Sequence, residues 1–350
     1  MTAPILVTGG AGFIGSNLAD RLAGLGHDVM VYDSLARPGV ERNLRWLQQR
    51  HPQRITALVA DLRDEAALRR AAQQASAVFH LAAQVAVTTS LTAPVEDFDV
   101  NLRGTFLLLE ALRQRGEAVP LVFASTNKVY GGLGEIALAR GPEGYHPADP
   151  QLHAHGIGEQ QPLDFHTPYG CSKGAADQYV LDYGRSFGLP VTVLRMSCIY
   201  GQRQMGTEDQ GWVAHFLLRA LAGEPITVFG DGFQVRDLLH VDDAVDAYLA
   251  AWRQAPQLGG RALNLGGGPA NAVSLRQVID AIETLTGRSV TVQRAEWRAG
   301  DQRYYVSDTR AARQLLGLGA PLPWREGLAR LAAWLQQAPA APRHTAPALP

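Results

Sequence analysis

Lysine is almost missing from this chain of 350 residues: Lys128 and Lys173 are the only two, although Lys and Arg together number 32. Nearly every ordinary surface cation is Arg. Arg cannot replace Lys where a compact point charge on a flexible stem is needed, so the two survivors mark positions where chemistry excludes Arg. Cysteine is equally scarce, and Cys171 and Cys198 fit neither a metal-ligand spacing nor a disulfide framework. No apolar run approaches the ~18 residues of a membrane span. Met1 leads almost directly into Ile5-Leu6-Val7 with no basic stretch ahead, so no signal peptide is expected. A formal charge of −1 gives no global attraction for nucleic acid or an anionic membrane. The expectation is a soluble, cytoplasmic protein, and 46% hydrophobic content supports a large core.

Each lysine falls inside a motif. Lys173 closes His166-Thr167-Pro168-Tyr169-Gly170-Cys171-Ser172-Lys173, where a Tyr and a Lys four apart follow a helix-opening Pro and share one helical face. A phenol titrates near pH 10, so a Tyr base at neutral pH needs about three pKa units removed, roughly 4 kcal/mol. One ammonium about 4 Å away supplies on the order of that amount. Lys128 lies in Ser125-Thr126-Asn127-Lys128-Val129-Tyr130-Gly131.

The N-terminal strand runs straight into glycines. Gly9, Gly12 and Gly15 recur every third residue, with Phe13 and Ile14 between the last two, and Gly10, Gly12 and Gly15 satisfy G-x-G-x-x-G. A helix over 16–25 and a strand from His27 to Tyr32 follow, ending on Asp33. Such glycines let the backbone approach a pyrophosphate on the helix N-terminus, and the acid at the second strand end binds a ribose hydroxyl. Strand, glycines, helix, strand and acid in this order predict a dinucleotide site. Asp33 repels a 2′-phosphate and favours NAD, with Arg37 four residues on as the opposing signal for NADP.

Further strands are expected at 55–60, 77–81, 120–124 and 190–194, alternating with helical patterns. The fold class is therefore α/β, a Rossmann-type doubly wound parallel sheet. Strand ends form the crevice of such sheets, which adds Asp61, Leu62, Leu81, Ala82 and Ala83 to the cofactor candidates. The chain divides into a dinucleotide-binding domain at 1–195, a smaller C-terminal α/β substrate lobe at 196–337 and a disordered, Pro- and Ala-rich tail at 338–350. Residues 133–164 are polar, aperiodic and His-bearing, and read as a long loop that serves as a lid or substrate wall. Their histidines lack metal spacing and read as solvated. The helix at about 100–115 carries Phe106, Leu109 and Leu112 on one side, broadened by Leu102 and Leu108, and suggests a dimer contact.

These motifs resemble the extended short-chain dehydrogenase/reductases that act on nucleotide sugars, over nearly the whole length. The finer resemblance is to the CDP-paratose 2-epimerases, also called CDP-tyvelose epimerases. It rests on residues 125–131, on 163–179 and on Tyr200-Gly201-Gln202-Arg203-Gln204 through Asp209-Gln210-Gly211-Trp212. The resemblance implies bound NAD and a catalytic set of Thr126, Tyr169 and Lys173, with Asn101 supporting it. It implies a nucleotide-sugar partner, a CDP-hexose first, and a homodimer or dimer of dimers. Substrate candidates are Asn127, Lys128, Arg203, Gln204, Arg236, Arg298 and Asp301. Cys198 stands where many relatives carry an Asn that helps hold the diphosphate, which leaves that task to Arg203, Arg236 and Arg298. Dehydratase relatives follow the Thr with Asp-Glu; Asn127-Lys128 offers no such acid and base pair.

The expected reaction is epimerisation through reversible oxidation at C2 of the sugar. A 4-epimerase of UDP-sugars and net NAD-dependent oxidation stay open within the same machinery. A non-catalytic NAD-binding sensor stays open from another class.

Overall fold

The computed structural model describes residues 3–337; the tail expected at 338–350 lies outside them. Seven parallel strands form the main sheet, in the order Arg261–Leu265, Val191–Met196, Leu121–Thr126, Ala77–His80, Ile5–Thr8, Val29–Asp33 and Ile55–Val59. The order reverses between Ile5–Thr8 and Ala77–His80, which opens the crevice where such sheets bind ligands. The sheet is covered on both faces, so its central strands are apolar: Ile5, Leu6, Val7 and Val78, Phe79 are all essentially inaccessible. Each such side chain contributes about 1.5–3 kcal/mol by leaving water. One face packs on helices Phe13–Gly24 and Val241–Leu258, the other on Glu65–Gln74, Gly104–Arg115 and Thr167–Phe187.

The sheet reaches beyond residue 195, where the sequence reading ended its domain. Its last strand, Arg261–Leu265, and the helix Val241–Leu258 come from the second half of the chain. The smaller lobe centres on strand Val235–His240, which pairs with Cys198–Tyr200, Ala272–Ser274 and Tyr304–Tyr305. Helices Trp212–Ala222, Leu275–Thr286 and Trp324–Gln337 enclose a core of its own. A capping box of Ser274 and Gln277 starts the second of these helices.

The expected loop at 133–164 is built instead as a two-stranded hairpin, Leu138–Arg140 with Tyr145–Pro147, and a short helix, Pro150–His155. Tyr145 N donates to Phe233 O at 2.9 Å and Ile157 N to Val306 O at 2.7 Å, so the segment packs on the smaller lobe. The His146 and His153 rings lie 5.3 Å apart, and no group of three potential metal ligands occurs among the described residues. On helix Gly104–Arg115, Leu108, Leu109 and Leu112 are buried within the fold. The outward apolar surface is Phe106 with Tyr179 and Phe187, which are 38%, 45% and 52% exposed. Among the described residues no helix is long and apolar enough to cross a membrane.

Candidate active site

Thr126 ends a central strand, and the helix Thr167–Phe187 begins beneath it with Pro168 in its first turn. This brings Tyr169 near Thr126, whose hydroxyl favours the ionised phenol, donates to Asn127 Oδ1 at 3.4 Å and accepts from Lys128 N at 3.2 Å. Tyr169 and Lys173 share a helical face, and both are buried. Lys173 Nζ donates to Ala124 O at 2.6 Å and sits 4.2 Å from the centre of the Phe123 ring. Lys173 is not among the groups that shift Tyr169 in this arrangement. Burial pushes Tyr169 up to about 12, Thr126 offsets this only in part, and Asp97 adds to the rise. Burial also brings Lys173 down to about 7, against the opposing pull of Asp177 and Asp97. Desolvation is the largest cause at both groups.

A polar layer behind the helix holds these side chains in place. Ser172 Oγ donates to Asp97 Oδ2 at 2.5 Å, and Asn101 Nδ2 contacts Asp97 Oδ1, Ser172 Oγ and Gln84 O at 3.0–3.2 Å. Asn101 Oδ1 accepts from Gln84 N at 2.8 Å, so Asn101 fixes the loop that enters the cleft. It lies in a π-helical turn, Asp99–Arg103. His80 bridges Thr8 and Thr105 at 2.7 and 3.0 Å, and burial with Lys173 nearby holds it down at about 3, hence neutral. Asp177 pairs with Arg195 through two bonds of 2.9 Å and accepts from Ser125 Oγ at 2.7 Å. No motif in the sequence assigns Asp97 or His80 to this layer, because their partners Ser172 and Thr8 are 75 and 72 positions away; Asp177 lies within the 163–179 stretch, which carries no role for it.

The glycine turn fits a pyrophosphate. A Cβ on Gly15 would run into Gly9 O, and one on Gly9, at φ +69°, would meet Ala82 N at 2.7 Å. The helix Phe13–Gly24 carries no side-chain cap and no acid in its first turn, so its N-terminal amides, including those of Phe13, Ile14 and Gly15, present their positive end to an anion. Asp33 accepts from Ala11 N at 3.0 Å and Leu35 N at 2.9 Å, and burial holds its carboxyl above the usual range. Leu81 N and Ala82 N donate to Thr8, at 3.1 and 3.3 Å, and Ala83 follows them in the chain. Leu62 packs beneath Gly104. Asp61 gives its carboxylate to Arg63 and its carbonyl to Tyr32 OH at 2.6 Å.

Between the lobes lies a cleft of about 310 Å³. Asn127 and Lys128 line it from the sheet side; Arg236, Arg298 and Asp301 line it from the smaller lobe. Lys128 Nζ donates to Gly300 O at 3.0 Å and stands 4.0 Å from Asp301, and burial brings it down to about 8. Arg236 donates to Asp301 Oδ1 and Gln302 O at 2.6 Å. Asn127 Nδ2 donates to Gln302 Oε1 at 3.2 Å. Trp212, Phe216, Thr227, Phe229 and Leu275 make the far wall less polar; of these only Trp212 lay in a motif noted from sequence.

Two expected substrate residues lie elsewhere. Arg203 does not line the cleft: at φ +67° its guanidinium turns over the Trp46 ring, 3.0 Å from the centre, on the cofactor side. Gln204 Nε2 donates to Ile199 O at 3.2 Å and the side chain packs beneath Gly211. The hairpin and helix over 138–155 do not line the cleft either.

Residues 5–266 match the model of the NAD dependent epimerase/dehydratase family. The chain is 38% identical over 337 residues to CDP-paratose 2-epimerase of Salmonella typhi, covering 94% of this chain and 98% of that one. It is 33% identical over 326 residues to UDP-glucose 4-epimerase of Mycolicibacterium smegmatis, covering 93% and 96%. The crystal structure of Thermus thermophilus UDP-glucose 4-epimerase in complex with NAD superposes with a TM-score of 0.80 at 33% identity, covering 96% and 99%.

Proposed function

The chain belongs to the NAD-dependent epimerase/dehydratase family, and on that premise we propose that it inverts C2 of a CDP-hexose. It is an NAD-dependent nucleotide-sugar epimerase, an isomerase. What supports the reading best is buried Tyr169 set near Thr126, beside Asn127 and Lys128, which line the cleft. The 38% identity to CDP-paratose 2-epimerase favours CDP and C2.

In this reading NAD, when bound, would supply a two-electron acceptor that takes a hydride from the sugar carbon and can return it to the other face. Gly9, Gly12, Gly15, the amides of Phe13 and Ile14, and Asp33 hold it, with Asp61, Leu62, Leu81, Ala82 and Ala83 along the strand ends. Tyr169 takes the hydroxyl proton as the carbon is oxidised and gives it back on reduction. Thr126 holds the same oxygen. Lys173, with one bond to Ala124 O, has two N–H groups left for the cofactor ribose and for phenolate charge. Asn101 positions the helix through Ser172. Arg236 and Arg298 meet the diphosphate, and Lys128, Asn127 and Asp301 bound the sugar. Neither Asn127 nor Lys128 is a carboxylic acid, so water elimination lacks its acid and base pair.

A 4-epimerase of UDP-hexoses is the second reading, favoured by the 33% identity to UDP-glucose 4-epimerase. CDP- and UDP-hexoses deuterated at C2 or at C4 separate the two. The expected result is epimerisation of the CDP-sugar at C2, with deuterium from C2 trapped on the cofactor. Deuterium transfer from C4 of a UDP-sugar would overturn it.

We further infer a dimer built on the exposed Phe106, Tyr179 and Phe187. Phe106 packs edge-on to Tyr179 at 5.7 Å, so the two rings form one continuous apolar face.

A further inference from the structure

The smaller lobe's cleft arginine, Arg298, is already engaged by anions of the chain itself. Its guanidinium lies 3.7 Å from the centre of the Phe229 ring. NH1 donates to Glu208 O at 3.0 Å, while NH2 lies 3.5 Å from Glu208 Oε1 and 3.3 Å from Asp209 Oδ1. These last two separations exceed the 2.7–2.9 Å of a charge-assisted hydrogen bond. The carboxylates therefore hold the fork by loose attraction, without saturating it. Both are about half exposed and line the same cleft as Arg298.

The backbone explains why they stand there. Thr207 and Gln210 exchange two backbone bonds, at 2.8 and 3.2 Å, which puts Glu208 and Asp209 at the tip of a tight turn. The preceding strap is fastened to the cofactor side of the molecule. Asn17 Nδ2 donates to Gln202 O at 3.1 Å, Asn43 Nδ2 to Arg203 O at 3.3 Å and Arg37 to Met205 O at 3.0 Å. Only the tip is left to yield.

We propose that Glu208 and Asp209 are a placeholder for the substrate diphosphate, holding the Arg298 fork over Phe229 until the phosphates displace them. This rests on the reading that Arg298 meets the diphosphate. Two carboxylates and a diphosphate offer the same chemistry, paired anionic oxygens matched to a planar fork. The placeholder keeps Arg298 aimed at the cleft, and its cost is competition with every ligand that carries phosphate. A neutral nucleoside does not meet that competition.

The test is calorimetric binding to NAD-loaded protein, wild type against the isosteric E208Q/D209N double variant, using cytidine, CMP, CDP, uridine and UDP. The double variant is expected to bind the nucleoside diphosphate more tightly, by about 1.4- to fivefold for each carboxylate neutralised, the range for exposed ion pairs. The gain should shrink for CMP and vanish for cytidine and uridine. In an R298Q background the same pair of changes should do nothing. Unchanged or weaker diphosphate binding by the double variant overturns the placeholder, as does a gain that persists with R298Q. A preference for UDP over CDP in both proteins would count against the CDP reading alone, since the placeholder is read from the variant-to-wild-type ratio of whichever diphosphate binds.

Discussion

At Lys173 the needs of folding and of chemistry oppose each other. An ammonium buried beside Ala124 O is held at about 7 by desolvation, against an ordinary value near 10.4. Between these limits the unfolded chain holds a proton that the folded chain has released, so this residue makes stability rise with pH across that window. Below about pH 7 the lysine is charged in both states and the full penalty is present. Lys173→Met should therefore stabilise the protein against urea at pH 6.5, by on the order of a few kcal/mol at ~1.4 per pKa unit, and lose most of that gain by pH 9.5. The same variant should be inactive. A wild-type lead at pH 6.5 would mean the site does not strain the fold. Lys128 poses a different question, because its Nζ is threaded between Gly300 O and Asp301. Lys128→Arg should keep the circular dichroism spectrum but cut turnover about a hundredfold or more, since a planar fork cannot occupy a slot made for a point charge; full activity would remove Lys128 from the site.

Elements whose partners are close in the chain, or whose burial is uniform, are legible from sequence, and the glycine turn is the plainest case. Gly15→Ala drives a Cβ into Gly9 O, a backbone atom that cannot swing away. The expected result is loss of bound NAD from the purified protein and a stability loss of about 1–3 kcal/mol, seen in thermal melts; a variant that retains NAD would show the turn can open. The central strands were placed to within a residue or two because burial on both faces leaves uninterrupted apolar runs such as Leu121-Val122-Phe123. Helix Val241–Leu258 went unmarked. It opens on Asp242 and Asp243 and contains Pro256, a residue that ordinarily signals a break. The hairpin Leu138–Arg140 with Tyr145–Pro147 is held by Phe233 and Asp231, roughly 90 positions on, so local pattern says little about it. Arg203 illustrates the limit for side chains: its spacing suits a phosphate ligand, but a positive φ turns it onto Trp46. At the aromatic face, Phe106→Asp with Tyr179→Asp should yield a monomer in sedimentation velocity runs where the wild type is a dimer. A wild-type monomer would remove the dimer reading.

The whole molecule is two lobes on one interlaced chain. The backbone leaves the main sheet after Met196, returns to it at helix Val241–Leu258, and leaves again after Leu265. It comes back at helix Arg310–Leu316 and ends in the smaller lobe's helix Trp324–Gln337. Neither lobe is therefore a continuous stretch of sequence. A piece ending at 195 would lack strand Arg261–Leu265, leaving Val191–Met196 as a bare edge, and would uncover the face under Val241–Leu258. It should aggregate, whereas the full chain should unfold in one transition that coincides by near- and far-ultraviolet circular dichroism. Two separated transitions would show the lobes to be independent. This stitching has a mechanical consequence. A clamshell opens about one or two strands of backbone, and here at least five crossings would have to bend in concert. Rigid-body opening of the cleft is therefore resisted at every crossing, and local rearrangement of its lining is the expected route for ligands.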